Sequence, residues 1–259
     1  MIWRWIPPIA ADGATQMALD SWMLTQLSRS GAGPMLRLYR WSRPTLSLGR
    51  HQQRWPEHWQ ALAAAGVMDL VRRPSGGRAV LHAGELTYAL AMRPQQRNRE
   101  QAYRQACSWL QAAFAAAGEP LGFGTARAAE AQQRSNCFAT STAADLVGPD
   151  GAKRVGSAQL WQGDALLQHG SLLLEPPALW RAVFGTPPPS LATLPWSAAE
   201  LELQLRRAAD AHLCGGTLRE EPLSAAEWAA VERLELSGAQ GSPLASIARA
   251  TGANPMPRG

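Results

Sequence analysis

The chain has 259 residues, of which 46% are hydrophobic and 17% are charged. This composition is typical of a globular protein with a full core and excludes a disordered chain. The formal net charge of +5 favours an acidic partner, whether a protein, a nucleic acid or an anionic cofactor, although an arginine-rich composition alone accounts for it equally well.

The number of cysteines and the length of the apolar segments indicate in which cellular compartment the protein is located. The three cysteines, Cys107, Cys137 and Cys214, are too few and too scattered for a disulfide framework or a zinc site, which is typical of a reducing compartment. The chain start lacks the continuous apolar core of a signal peptide, and no window of about 18 residues is apolar enough to span a membrane. We therefore expect a cytoplasmic protein without a membrane partner.

Helices and strands alternate at the start of the chain. Apolar spacing predicts an amphipathic helix over residues 13–29. Strict alternation of apolar and polar residues predicts a half-buried strand over 35–41, and a second short strand follows at 45–49. Pro56 is typical of the first turn of a helix, which we expect to end at Gly66.

Residues 67–93 contain three strand-like runs, separated by a glycine-rich turn and a tight turn. The connections are too short for helical crossovers, so we expect neighbouring strands here to be antiparallel. A helix with apolar residues along one face is predicted over 99–117. From Gly118 to Ser135 the chain is polar and lacks periodicity, which predicts a mobile loop.

Strands dominate up to residue 174 and helices dominate afterwards. Three strands joined by hairpin turns are predicted near 144–148, 152–161 and 164–174. Helix-start signals follow at Ser197, Ser224 and Ser242. The prediction is an α+β fold, a largely antiparallel mixed sheet packed with helices. We expect a main domain over 1–190 and a small helical extension over 191–259.

The loop 72–78, RRPSGGR, is the first candidate site. Its paired glycines let backbone N–H groups approach a ligand closely, and its three arginines supply anion-binding groups. It is neither a Walker loop nor a dinucleotide fingerprint, because GKS/T and a following helix are both missing. The alternative for this stretch is a basic hairpin turn.

Single titratable residues give weaker signals. His82 and His169 fall in predicted strands, where a histidine is more often structural than catalytic. Asp145 and Glu85 are isolated carboxylates, so a paired-carboxylate mechanism has no support. Cys137 follows a polar, arginine-bearing loop, which is the setting that lowers a thiol pKa, and is a candidate nucleophile. The other two cysteines are expected to pack as small hydrophobes.

Lys153 is the only lysine of the chain, although the composition supplies arginine wherever a generic positive charge serves. An ammonium differs from a guanidinium in hydration and donor geometry, so a specific task competes here with chance survival. The period of a strand places Lys153, Ser157 and Gln159 on one side. Gly156 and Ala158, on the other side, leave room for a ligand or for close sheet packing.

Several blocks of this sequence resemble the family of lipoate-protein ligases and octanoyltransferases, which shares its catalytic fold with biotin protein ligases. The blocks are MALD (17–20), LRLYRW (36–41), PTLSLGRHQ (44–52), RRPSGGRAVLHAGELTY (72–88), and residues 137–174, from CFATSTAADL to LLQHGSLLL. The forms SGGRAVLH…ELTY, CF and SAQ…LQHGS are most similar to octanoyltransferases of the LipM type. Ligases usually read SGGG followed by AVFHD, and Ala83 stands where they often have Asp.

The resemblance implies a two-step acyl transfer without a cofactor. Cys137 corresponds to the acyl-accepting cysteine, which takes an octanoyl group from acyl carrier protein and passes it to a lysine of a lipoyl domain. Lys153 corresponds to the lysine that holds the acyl carbonyl. The expected protein substrates are lipoyl domains of 2-oxoacid dehydrogenase complexes or the glycine cleavage H protein. The expected acyl-binding residues are Arg72, Arg73, Ser75, Gly76, Gly77, Arg78, His82, Gly156, Ser157, Ala158, His169 and Gly170.

Two alternatives stay open at this stage. An ATP-dependent lipoate-protein ligase would use ATP and Mg²⁺, hold an acyl-adenylate with Lys153 and leave Cys137 without a role. A non-enzymatic basic scaffold for nucleic acid is disfavoured because basic motifs interleaved with aromatic residues are missing. The sequence does not fix the acyl-chain length, the lipoyl protein that is modified or the oligomeric state.

Overall fold

The structure is a computed structural model that describes residues 1–124, 145–191 and 193–241, with side chains up to residue 237. Its strands are β1 (Trp3–Ala11), β2 (Met35–Trp41), β3 (Thr45–Leu48), β4 (Asp69–Arg72), β5 (Val80–His82), β6 (Leu86–Met92), β7 (Gly122–Phe123), β8 (Leu146–Val147), β9 (Lys153–Gln162), β10 (Ala165–Leu172) and β11 (Leu218–Glu220). Its helices are α1 (Gly13–Thr25), α2 (Glu57–Ala64), α3 (Arg99–Ala116), α4 (Trp180–Phe184), α5 (Ala198–His212) and α6 (Ala225–Gly241). None of these helices is long and apolar enough to cross a bilayer.

Eight strands form a large mixed sheet in the order β11-β1-β2-β6-β10-β9-β8-β7. The central pairs β2–β6, β6–β10 and β10–β9 are antiparallel, whereas β1 is parallel to both β2 and β11. The hairpin between β9 and β10 turns at Gly163, whose φ of 64° is in the left-handed region that glycine adopts without strain. The predicted α+β fold with a largely antiparallel mixed sheet is confirmed.

Helices cover both faces of the large sheet because its strands alternate between two apolar surfaces. Along β6, Tyr88 and Leu90 face the core formed with α3 and α5, while Ala89 and Ala91 face the core that contains α1. Trp109 of α3 is fully buried in the first core. Burial of each large apolar side chain contributes roughly 1.5–3 kcal/mol, so these two layers supply most of the stabilisation.

A second, three-stranded sheet has the order β4-β3-β5 and packs with α2 and α4 around its own core, which includes Leu46, Trp59 and Trp180. The expectation that neighbouring strands within 67–93 are antiparallel is wrong. The earlier strand β3 lies between β4 and β5, parallel to the first and antiparallel to the second, and β6 belongs to the large sheet. A short connection forces two consecutive strands to be antiparallel only if they pair with each other. Here β3 lies between β4 and β5, so the short connection does not determine how they pair.

The sequence-based prediction missed three strands, β1, β7 and β11, and β7 lies in the stretch predicted to be a mobile loop. Pro7 and Pro8 interrupt β1, and the pairing of β1 with β2 shifts register between Ile6 and Ile9, where the prolines cannot donate ladder hydrogen bonds. β11 is only three residues long and carries two exposed charged side chains, so it lacks a strand-like pattern.

The predicted helices agree with the structure within the described ranges. The helix predicted over 13–29 is α1 followed by a π-helical turn, Gln26–Ser30. Ser197 and Glu200 form a reciprocal capping box at the start of α5. The helix predicted from Ser242 and the loop predicted up to Ser135, from residue 125 onward, lie outside the described residues.

The C-terminal segment shares its packing with the rest of the chain. α5 packs on α3, α6 packs on α1, and β11 pairs with β1. Arg4 of β1 forms a 2.7 Å ion pair with Glu227, which belongs to the capping box of α6. The predicted domain boundary at residue 190 stays a prediction, and the extension contributes to both cores of the large sheet.

Candidate acyl-binding cleft

A cleft lies between the two sheets, where residues from six strands, helix α1 and the glycine-rich loop meet. Its empty volume, open to solvent, is about 450 Å³. The lining residues are Met17, Tyr39, Trp41, Ser47, Arg73, Gly77, Val80, His82, Thr87, Gly156, Ser157, Ala158, His169, Gly170 and Ser171. Apolar side chains and bare backbone dominate this lining, which is the usual character of a site for a small organic group.

The glycine-rich loop 73–79 connects β4 to β5 across the end of β3. Because β4 and β5 do not pair, the alternative of a hairpin turn is wrong. Gly77 has a φ of 93°, and a Cβ placed on Gly49 would lie 1.9 Å from the carbonyl oxygen of Gly77. This loop therefore packs backbone to backbone against the turn after β3, a contact that only glycine at position 49 permits.

Two arginines shape the loop through backbone carbonyls. Arg73 is 5% exposed and donates to the carbonyl oxygens of Ser47 (2.9 Å), Gly76 (2.8 Å) and Arg78 (2.6 Å). Arg72 donates through Nη1 to the carbonyl oxygens of Gly49 and Gln52, at 2.8 and 2.9 Å. These hydrogen bonds give both guanidinium groups a structural role, beside the anion-binding role expected from the sequence.

His82 is held by four neighbours at the cleft wall, one of them Ser171, whose hydroxyl oxygen lies 3.3 Å from Nδ1. Its Nε2 lies 2.8 Å from the hydroxyl oxygen of Ser47, and its Nδ1 lies 2.5 Å from a carboxylate oxygen of Glu85. The ring stacks on Trp41 with centroids 3.9 Å apart. Burial lowers the pKa of His82 below its usual value, and the opposing effect of Glu85 is smaller. A neutral imidazole with a fixed orientation results.

His169, on β10, has a similar arrangement on the floor of the cleft. Its Nε2 contacts the Ser75 hydroxyl at 2.5 Å, and its Nδ1 lies 2.6 Å from Asp20 of α1. Asp20 also pairs with the fully buried Arg37. Burial would raise the pKa of Asp20, but Arg37 and His169 together lower it below its usual value. The array ties α1, β2 and β10 to the glycine-rich loop.

The backbone of β9 and β10 comes unusually close at the cleft. A Cβ on Gly170 would lie 2.7 Å from the carbonyl oxygen of Gly156 and 2.8 Å from the Ser157 hydroxyl oxygen. The Ser157 hydroxyl in turn lies 2.8 Å from that of Tyr88. Gln159, on the same side of β9 as Ser157, donates to Gln168 at 2.8 Å, beneath α3. The predicted side for Ser157 and Gln159 agrees with these contacts.

Lys153 begins β9, three residues before Gly156, and is 5% exposed. Its ammonium lies 2.9 Å from a carboxylate oxygen of Asp145. Lys153 is not among the lining residues of the cleft. Asp145 and Glu85, for which no paired-carboxylate role was predicted, each lie beside a basic side chain, Lys153 and His82. Cys137 lies outside the described residues.

The other two cysteines pack as predicted. Cys107 is a fully buried residue of α3, and burial raises its pKa to about 11. Cys214 is 5% exposed, and burial raises its pKa to about 12. Neither thiol is ionised near neutral pH, which excludes them as nucleophiles. Among the described residues, no group of three or more His, Cys, Asp or Glu side chains is placed to hold a metal ion.

Sequence reasoning missed several residues of this site. Ser47 and Trp41 contact His82, and although both lie in blocks of the family resemblance, neither was named as a site residue. Asp20 carries a signal, since it closes the block MALD at the one acidic position of α1. Glu85 follows His82 by three residues, and the tight turn at Gly84 brings the two side chains together. The partners of a buried histidine usually come from distant segments, which sequence spacing alone does not reveal.

Comparison with known proteins decides the family. Residues 12–181 match the sequence model of the lipoyl protein ligase A/B catalytic domain. The chain belongs to this family. It is 35% identical over 178 residues to octanoyltransferase LipM of Carboxydothermus hydrogenoformans, and 34% identical over 181 residues to octanoyltransferase LipM of Staphylococcus aureus. These matches cover 67% and 66% of this chain, and 65% of the length of each relative.

Solved structures support the same fold. The chain superimposes on lipoate-protein ligase A bound with ATP with a TM-score of 0.72 at 18% identity, covering 91% of this chain and 94% of the other. The lipoate protein ligase of a bipartite lipoylation system from Thermoplasma acidophilum gives a TM-score of 0.66 at 18% identity, with 90% and 91% covered. At these identities the likeness establishes the architecture alone, and the family fold predicted from the sequence blocks is confirmed.

Proposed function

We propose that this family member is an octanoyltransferase that carries an octanoyl or lipoyl group from acyl carrier protein to a lysine of a lipoyl domain. The observation that carries the proposal is the apolar cleft between the sheets, in a chain about 35% identical to octanoyltransferases. Met17, Trp41 and Val80 offer apolar contact to a straight acyl chain. Burying its seven carbons beyond the carbonyl contributes up to about 5 kcal/mol at roughly 0.8 kcal/mol per methylene.

Cys137 is the proposed acyl acceptor, and Lys153 the proposed group that holds the acyl carbonyl. The Cys137 thiolate attacks the thioester of the carrier protein, forms the octanoyl-enzyme and releases the carrier thiol. In this proposal the Lys153 ammonium, which is 5% exposed and pairs with Asp145, would stabilise the thiolate and the developing oxyanion. A charge-assisted contact of this kind contributes roughly 3 kcal/mol to the transition state.

Acidic protein partners are proposed to dock at the rim of the cleft. Arg50, His51 and Arg54 are exposed on the turn after β3. The backbone N–H of Arg50 donates to the carbonyl oxygen of Ser75 at 2.8 Å, so this basic turn adjoins the glycine-rich loop. The acceptors would be lipoyl domains of 2-oxoacid dehydrogenase complexes or the glycine cleavage H protein. These are cytoplasmic proteins in bacteria, so we infer the same location here, without a nucleic-acid or membrane partner.

The proposal includes no cofactor, which separates it from an ATP-dependent ligase. The test offers the protein a lipoyl domain with either octanoyl-carrier protein alone, or free octanoate with ATP and Mg²⁺, and follows the lipoyl domain by mass spectrometry. We expect modification with octanoyl-carrier protein and none with free octanoate. Cys137→Ala should abolish the modification, whereas the matched control Cys214→Ala should retain it. Modification with free octanoate and ATP that survives Cys137→Ala would contradict the proposal.

A further inference from the structure

The array Ser47–His82–Glu85 lies at the cleft wall and has no role in the steps described so far. Its central group is the His82 imidazole, and each ring nitrogen has a hydrogen-bond partner that fixes its orientation. Glu85 accepts from the backbone N–H of Ala83 at 2.7 Å with one carboxylate oxygen and contacts His82 Nδ1 with the other. An ionised carboxylate only accepts, so Nδ1 carries the ring proton and Nε2 keeps its lone pair. The Ser47 hydroxyl, 2.8 Å away, then donates to Nε2.

The chemistry of the proposed transfer needs a proton acceptor in only one of its two steps. Exchange of an acyl group between two thiols conserves the number of S–H bonds and releases no net proton. Transfer from the thioester to a lysine ammonium removes two N–H protons; one returns to the departing thiolate, and one is left over. A lysine ammonium has a pKa near about 10.4, so this proton needs a base at the site.

We propose that His82, reached through the Ser47 hydroxyl, accepts this proton during acyl transfer to the lysine. The lysine ammonium gives one proton to Ser47, which hands its own to Nε2. The amine nitrogen then bonds to the acyl carbon, the Cys137–acyl bond breaks, and the departing thiolate takes the second N–H proton. The imidazolium formed is stabilised by Glu85. This inference rests on the proposed function and assigns it a proton path that the thioester exchange does not use.

Other titratable groups along the described cleft are less suited to this task. Burial raises the pKa of Tyr39 well above its usual value, so its hydroxyl stays protonated. His169 contacts Ser75, which does not line the cleft, and Asp20, which already pairs with Arg37. Ser47 and His82 both line the cleft, and at 1% and 5% exposure both have little contact with bulk water.

Charged neighbours set the direction of the expected pH dependence. The titratable or charged groups that face His82 in the described structure are Glu85 on its own turn, Arg73 from the glycine-rich loop and His169 from β10. Below its pKa the imidazolium cannot accept a proton, so the transfer rate falls with decreasing pH. Because burial lowers the pKa of His82, this fall is expected below the usual histidine value of about 6.5. Glu85→Gln removes the group that favours the charged ring and should move the fall to still lower pH.

The experiment separates the two steps on the full chain. Octanoyl-enzyme is first formed with octanoyl-carrier protein, freed of carrier, and then mixed with a lipoyl domain in single-turnover assays. We compare the wild type with His82→Asn and Ser47→Ala. His58→Asn, an exposed α2 histidine that contacts only the Val183 carbonyl among its described hydrogen bonds, is the matched control.

We expect His58→Asn to leave both steps within about threefold of the wild type, and His82→Asn and Ser47→Ala to slow the transfer to lysine far more than acyl-enzyme formation, because that exchange releases no net proton. The transfer to lysine should fall about 100-fold in His82→Asn, and about tenfold in Ser47→Ala, where a water can replace the hydroxyl. The acidic limb of the pH profile should disappear in His82→Asn. If this variant fails to fold, as judged by thermal unfolding, Ser47→Ala decides.

Two results would overturn the inference: transfer at the wild-type rate and pH profile in the variants, or equal slowing of both steps, which indicates a merely structural role. Failure of the proposed function has a different signature, since the wild type itself would then form no octanoyl-enzyme.

Discussion

A fully buried guanidinium, that of Arg37, is the residue on which the cleft floor depends. It donates to the side chain and the backbone carbonyl of Gln16, and it pairs with Asp20, which in turn orients His169. Removing water from three charged or polar groups is costly, and the cost is offset only while each of them keeps its partners. Loss of any one partner among Arg37, Asp20 and His169 should therefore lower the stability of the cleft floor.

Asp20→Asn should destabilise the protein by about 3 kcal/mol at pH 7, because it leaves the Arg37 charge buried without its counter-ion. The pKa of Asp20 is lowered in the folded state, so its contribution is fully present above the unfolded value, about 3.8, and is lost as pH falls through the folded value. The urea unfolding free energies of variant and wild type should therefore converge as pH falls below 4.

The control for this prediction is Glu100→Gln, which breaks an exposed pair with Arg104 on α3. Exposed pairs contribute little, so its unfolding free energy should change by less than about 0.5 kcal/mol. A loss in Asp20→Asn that stayed constant from pH 7 to pH 3 would show that the carboxylate charge is not what stabilises the array.

At the scale of elements, the approach of β9 and β10 to β6 sets the shape of the cleft. Gly170 has no room for a side chain, because a Cβ would lie 2.7 Å from both the Gly156 carbonyl oxygen and the Tyr88 ring. Backbone cannot yield as a flexible side chain can, so substitution here must separate the strands or displace the tyrosine.

Gly170→Ala should cost about 2 kcal/mol of stability, since it overpacks a three-strand contact. Thermal unfolding measures this loss. Gly122→Ala is the matched control, because a Cβ on Gly122, also in a strand, meets nothing within 4 Å and its φ needs no glycine. Equal unfolding temperatures for the two variants would contradict the close packing of Gly170 against Gly156 and Tyr88.

The helices and strands of the structure show which parts of the fold could be predicted from the sequence. Apolar periodicity predicted α1 and α3, and hairpin turn signals predicted β9 and β10. Pairing of β3 between β4 and β5 escaped prediction because it depends on contacts between segments that are not adjacent along the chain. The site divides in the same way. The sequence blocks contained Ser75, His82 and Gly170 as well as Asp20 and Ser47, but only the structure shows that Asp20 orients His169 and that Ser47 contacts His82.

At the scale of the whole molecule, the two sheets and the basic rim have separate tasks in the proposed reaction. The large sheet supplies the floor with His169 and Gly170, and the small sheet supplies the wall with Ser47 and His82. The net charge of +5 favours encounter with acidic proteins, an effect that falls as ionic strength rises. In the proposed reaction, acyl chemistry would take place in the cleft between the sheets, and exposed arginines would recognise the partner.

The central claim is that Cys137 carries the acyl group, and intact mass spectrometry tests it most directly. The protein is mixed with octanoyl-carrier protein, its mass is measured, and the modified residue is mapped by peptide fragmentation. We predict one octanoyl adduct, on Cys137, that is sensitive to hydroxylamine and is absent from Cys137→Ala. An adduct on another residue, or unmodified enzyme that still octanoylates a lipoyl domain, would contradict the account.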